Sequence, residues 1–200
     1  MNHQPSLALL LLAAVIALSG CKDPVTDSPA TDAIPSPAAA PASTVDAKTA
    51  AGSDLASRLE NTQYLIETTA NGKAALRDGA YSEPVDGSSS QNTVRLGPQF
   101  AFGDLDSTGA QDAAVTLIAD SGGSGTATYL SAVLEQAGNL EPVPSVFIGD
   151  RIIVQSLEIK DRKIILRWLD RSQTDPMSAP PSVETAQSYS VQQGKLVAVD

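Results

Sequence analysis

Residues 152–169 read IIVQSLEIKDRKIILRWL, and this segment settles the class of structure. Two runs rich in branched apolar residues flank the polar triplet Lys160-Asp161-Arg162, the pattern of two strands joined by a tight reversal. So short a connection forces antiparallel pairing. In the first run Ile153, Leu157 and Ile159 share one face. In the second, residues 164–169, both faces are apolar apart from Arg167, which places this strand and the sole tryptophan, Trp168, in the centre of a sheet. Trp168 is read as core packing in preference to a sugar platform.

Outward from this hairpin the same texture recurs. Short runs of Val, Ile, Leu and Thr at 74–76, 93–102, 113–119, 126–134, 143–148, 185–191 and 195–199 read as further strands. Asp78-Gly79, Ala137-Gly138-Asn139 and Gln193-Gly194 punctuate them as reversals. Leu55, Leu59 and Ile66 recur near helical spacing behind Ser53 or Asp54 as a cap, although Tyr64, Leu65 and Ile66 equally suit a first strand. The expected fold is mostly β: one antiparallel β-sandwich or strongly curved sheet over residues 54–200, with room for one short helix at its start. That length supports one core and is too short for two ordinary domains.

The N-terminal end has a different character. Residues 7–18 form an apolar run of about a dozen residues, which suits a signal peptide and is too short to span a bilayer. It ends in Leu18-Ser19-Gly20-Cys21, which resembles a bacterial lipobox. Such a segment is cut before the cysteine, which then carries diacylglycerol on its sulfur and usually an acyl group on its new amino terminus. Residues 1–20 are thus expected to be a lipoprotein signal peptide, Cys21 the lipidated residue, and residues 21–53, dominated by Pro, Ala, Ser and Thr, a disordered tether. Lys22 after Cys21 favours the outer membrane, facing the periplasm.

That cleavage also constrains chemistry. His3 is the only histidine and Cys21 the only cysteine. The mature chain would have neither imidazole nor free thiol, which excludes Ser-His-Asp and Cys-His catalysis, zinc sites built on Cys and His, and disulfides. A carboxylate pair such as Asp104 with Asp112, or Asp150 with Glu158, would still serve a hydrolase. The formal net charge of -10 argues against nucleic acid as a partner.

One segment has a metal-binding pattern: residues 103–115, GDLDSTGAQDAAV. Counted from Asp104, carboxylates fall at the first, third and ninth places, with Thr108 at the fifth and Gly109 at the sixth, as at the front of an EF-hand calcium loop. Val115 stands where an EF-hand needs its bidentate glutamate, so a true EF-hand is excluded. The strand that follows makes the segment resemble the calcium turns of integrin-type FG-GAP repeats. That likeness implies a Ca²⁺ ion held by Asp104, Asp106, Thr108, the carbonyl of Ala110, and Asp112. The alternative is an acidic turn whose aspartates cap backbone amides. Residues 120–125, DSGGSG, lack a P-loop lysine and a helix start, and read as a flexible connection.

GDLDSTGAQDAAV, GGSGTATYLSAVL, GDRIIVQSLEI and DPM, followed by SYSVQQGKLV, occur in that order and together resemble an uncharacterised domain of bacterial lipoproteins. Its members read GDLNGDGxxDAAV, GGSGTFxYLAAV, GDRVxVxSLxI and DPMCCP. The likeness spans most of residues 60–200. This chain departs at Ser107-Thr108, where Gly-Asp is common, and at Ser178-Ala179, where paired cysteines are common. The resemblance implies no activity. The expected function is that of a lipid-anchored cell-envelope protein, a binding or structural module with an envelope protein as partner. A carboxylate-based periplasmic hydrolase and a calcium-stabilised FG-GAP-like interaction module are the alternatives.

Overall fold

The computed structural model describes residues 47–200 apart from Ser124, Gln173 and Met177. The expected signal peptide, Cys21 and the expected tether as far as Asp46 lie outside the described residues. Helix α1 (Ala47–Leu59) begins upstream of the expected cap at Ser53 or Asp54, and takes in residues assigned to the tether. Alanine is the strongest helix former, so an alanine-rich lead-in extends a helix that Leu55 and Leu59 anchor in the core. Its last carbonyls are all satisfied. Asn61 Nδ2 donates to Ser57 O at 3.2 Å, Thr62 Oγ1 to Arg58 O at 2.8 Å and the Tyr64 hydroxyl to Leu59 O at 3.0 Å.

After the helix the chain is all strand. β1 (Gln63–Leu65) and β2 (Lys73–Ala75) form a small antiparallel hairpin, which decides the helix-or-strand ambiguity at residues 63–65 for strand. Strands β3 (Ala80–Pro84), β4 (Gln91–Gly103), β5 (Asp112–Asp120), β6 (Ala127–Gln136) and β7 (Asn139–Pro142) pair in that order, and β8 (Val146–Asp150) joins the sheet beside β6. β9 (Ile153–Lys160), β10 (Lys163–Asp170), β11 (Val183–Gln192) and β12 (Lys195–Val199) make a second antiparallel sheet of four. The expected strand at 143–148 begins only at Val146, since residues 143–145 connect β7 to β8 and Pro144 lacks an amide donor.

Residue parity divides the core. On the six-stranded sheet Ala113, Val115, Leu117, Tyr129 and Val133 pack against Leu55, Leu59, Tyr64 and Ile66 of the helix and small hairpin. The alternate residues Ala114, Leu130, Ala132 and Leu134 pack against Leu157, Ile164, Leu166 and Trp168 of the four-stranded sheet. The domain is therefore β-sandwich-like, with a helix and hairpin covering the outer face of its larger sheet. β5 and β6 are buried on both faces along most of their length.

Two expectations about the 152–169 hairpin change accordingly. β10 is central within its own sheet, between β9 and β11, yet only Ile164, Leu166 and Trp168 are buried, so it has one core face. In β9 the register slips between the pairs Arg167–Ser156 and Trp168–Val154, leaving Gln155 as a bulge. The bulge turns Val154 inward with Leu157 and Ile159 and turns Ile153 outward, where it is 49% exposed. The reversals behave as expected. Asp78-Gly79, Ala137-Gly138, Asp161-Arg162 and Gln193-Gly194 each carry two successive positive φ angles, the requirement of a type I′ turn.

Candidate ligand and metal sites at the two ends of β5

β5 begins at Asp112, beside the acidic turn, and ends at Asp120, beside the glycine loop. In the acidic turn Asp112 is fully buried. Its Oδ2 accepts the Leu105 amide at 2.7 Å and its Oδ1 accepts the Glu135 amide at 2.9 Å, tying the turn to the end of β6. Burial pushes the Asp112 carboxyl above its ordinary range; the two amides oppose this, and the charges of Asp106 and Asp104 add to it.

The rest of the turn is braced by its own backbone. Asp104 accepts from the amides of Ser107 at 2.6 Å and Gly109 at 3.2 Å. Asp106 Oδ1 accepts from the Thr108 amide at 3.0 Å and its hydroxyl at 2.6 Å. Ser107 and Gly109 both adopt positive φ, and Arg162 of the β9–β10 turn donates to Ser107 Oγ at 2.8 Å. The aspartates therefore cap backbone amides, as in the turn reading.

The donor set nonetheless fits a calcium ion. One oxygen from each of Asp104, Asp106 and Asp112 lies within 4.8 Å of the others, the spread expected of ligands about 2.3–2.6 Å from a common centre. Each carboxylate keeps lone pairs beyond those given to its donors, Asp106 on Oδ2 because Oδ1 takes both the amide and the hydroxyl of Thr108. The Thr108 hydroxyl is directed to Asp106 and accepts weakly from the Ala110 amide at 3.4 Å. Of the expected set, three carboxylates are brought together and Thr108 is turned to its neighbour.

The hydrolase pairs fare differently. Asp112 stands close to Asp104 but, buried and doubly engaged with amides, has no approach for a substrate. Asp150 is held by Arg151 at 2.9 Å and Arg171 at 3.7 Å, while Glu158 is an exposed residue of β9 opposite Ile165.

At the other end of β5 the DSGGSG connection exposes Ser121, Gly122 and Gly123, while Gly125 is half-buried. Asp120 accepts the Gly122 amide at 2.8 Å. A Cβ on Gly122 would stand 2.8 Å from Ser90 Cβ, and one on Gly125 would stand 2.7 Å from Asp150 Oδ1. Glycine is therefore required at Gly122, where Ser90 Cβ cannot swing aside and φ is +78°, whereas at Gly125 the Asp150 carboxylate can yield. The corner Gly149-Asp150-Arg151 folds over the loop: Arg151 adopts φ +52° and donates its amide to Thr126 O at 2.8 Å. Between loop and corner lies a cavity of about 350 Å³ whose walls include Thr68, Asn92, Gly123, Gly125, Asp150 and Arg151. Sequence reading missed this site. Its glycine density was a signal, but Thr68 lies in the β1–β2 connection and Asn92 on β4, and only the fold brings them beside Asp150.

No family model, no curated protein and no solved structure matches this chain.

Proposed function

We propose that this chain is a lipid-anchored protein of the bacterial cell envelope, of the uncharacterised lipoprotein family its motifs resemble, and that its β domain acts by binding. Cys21 is the acylated residue, the outer membrane facing the periplasm its location, and an envelope protein its partner. Leu18-Ser19-Gly20-Cys21 behind the apolar run supports the anchor. Among the described residues no helix is long and apolar enough to cross a membrane.

One observation carries the choice of binding over hydrolysis. Asp112, the buried member of the Asp104–Asp112 pair, spends both oxygens on backbone amides. A general acid or base needs reach to a substrate proton, and Asp112 has none. The anchor is tested by labelling cells with radioactive palmitate. Label should enter the wild type and be absent from Cys21→Ala, which should also leave the membrane fraction; unchanged labelling and fractionation would overturn the reading.

The three carboxylate oxygens within 4.8 Å of one another favour a second reading, a turn braced by calcium. Asp104, Asp106 and Asp112 would hold the ion, which would neutralise their mutual repulsion and fix the β4–β5 connection. Calcium at about ten times its dissociation constant should raise stability by about 1.4 kcal/mol, or a few degrees in Tm. A melting curve unmoved between millimolar calcium and chelator would dismiss it.

A further inference from the structure

We propose that β12 pairs edge to edge with the β12 of a second copy of this chain, joining the two four-stranded sheets across a two-fold axis at Val197. This goes beyond the binding reading and is independent of the anchor. The sheet order β12-β11-β10-β9 leaves β12 hydrogen-bonded on one side only. Such an edge presents a row of unpaired amides and carbonyls, and folded proteins rarely leave one unguarded.

Among the described residues, every other outer strand of the two large sheets carries a guard. β3 ends in Glu83-Pro84, and the four-residue β7 ends in Glu141-Pro142. β8 is interrupted where its register slips past Ile148, and β9 by the Gln155 bulge and the Gln99 side chain on Val154 O. β12 has no proline and no bulge, and its register runs unbroken from Gln192–Lys195 to Ser188–Val199. Midway along it, Val197 is 39% exposed.

The turn before β12 fixes which of its groups face outward. Gln192 and Lys195 flank the two-residue reversal Gln193-Gly194, so they exchange both backbone bonds with each other. Alternation then commits the amides and carbonyls of Val197 and Val199 to β11 and turns those of Leu196 and Ala198 to the open side. These two stand symmetrically about Val197. An antiparallel copy centred there sets Leu196 opposite the second copy's Ala198, and about four new backbone hydrogen bonds form.

Charge and side-chain size select a copy of this chain as the incoming strand. The chain carries a formal net charge of -10, yet this edge bears one cation, Lys195, at its start and one anion, Asp200, just past its end. Antiparallel pairing brings the Lys195 end of each strand to the Asp200 end of the other, so opposite charges meet at both ends. A strand of a single charge sign would meet its like at one of them. The same register sets large Leu196 against small Ala198 on one face and Val197 against its own copy on the other. Because the β9 edge is guarded, the pairing closes at two copies.

Cysteine placed at the axis tests this in the full chain, purified in detergent. A non-hydrogen-bonded antiparallel pair holds its Cα atoms about 4.5 Å apart, within disulfide reach. Under mild oxidation Val197→Cys should therefore run mostly as a dimer that reductant splits. Lys195→Cys should stay mostly monomeric, because its copy lies about 14 Å along the strand. The parent chain, whose one cysteine is Cys21, gives the background. Without oxidant, sedimentation should show a dimer. Ala198→Pro should weaken it about tenfold or more with the melting profile retained, since the amide it removes faces away from β11. Val197→Lys, which sets two ammonium groups against each other across the axis, should do the same. A chain that sediments as a monomer at every concentration overturns the proposal. So do equal cross-linking at residues 195 and 197, a dimer unmoved by both substitutions, or capture of a different protein by Val197→Cys in cells in place of the copy. Palmitate labelling of Cys21 reports on the anchor separately.

Discussion

The acidic turn and the glycine loop cap opposite ends of β5 with the same two residue types, and they use them in opposite ways. In the turn, every aspartate faces amides of its own surroundings, and Asp112 is a structural bolt between Leu105 and Glu135. In the loop, glycines bring backbone close to Asp150 and Ser90, while neighbouring Asn92 and Thr68 keep unpaired oxygens. A motif rich in ligand-type residues is here internally satisfied. The segment without such residues borders the unsatisfied site.

The largest effect that would break this contrast is expected from Asp112→Ala. It strands two buried amides and should cost about 3–5 kcal/mol, lowering Tm by on the order of 10 °C. A melting point within two or three degrees of wild type would mean that the carboxylate is no bolt. Next is a paired test within the loop. Gly122→Ala drives a Cβ against Ser90 at a positive φ and should cost about 1–3 kcal/mol, whereas Gly123→Ala, with open space at that position, should stay within about 0.5 kcal/mol by denaturant unfolding. Equal effects would mean that Ser90 does not crowd Gly122. Asp104→Ala removes exposed hydrogen bonds and should cost only about 1 kcal/mol without calcium.

The smallest effect is a pH dependence. Because burial raises the Asp112 pKa above its ordinary 3.8, the folded state holds this proton more tightly than the unfolded chain. Its contribution to stability therefore falls as pH rises from the ordinary carboxylate range through the raised pKa, then levels. The advantage of wild type over Asp112→Asn should shrink across that window in thermal melts. An advantage that grows instead would show the two amides outweighing burial.

What the sequence could reveal follows from how local each feature is. Type I′ reversals at Asp161-Arg162 and Gln193-Gly194 depend on adjacent residues, and they were legible. The doubly buried strands were not, because β5 and β6 carry Asp112, Thr116, Thr128 and Ser131, polar residues that read as solvent-facing yet are buried. β10 does lie inside its own sheet as expected, but Ile165 and Leu169 made its outer face look like core when only Ile164, Leu166 and Trp168 are buried. The Gln155 bulge has no sequence sign, and one extra residue was enough to exchange Ile153 for Val154. The acidic turn was visible as a contiguous motif. The cavity was not, because Thr68, Asn92, Gly125 and Asp150 come from separate loops and strands that meet only in the fold.

The bulged strand has one more consequence. β9 is the last strand of its sheet, hydrogen-bonded to β10 on one side only. A bare edge of this kind is a template on which another chain can add a strand. Here the bulge interrupts the regular repeat that an incoming strand would need, and Gln99 reaches across from β4 to donate its side-chain amide to the Val154 carbonyl at 3.1 Å. Where many copies meet at high local concentration, this edge resists recruiting its neighbours into fibres.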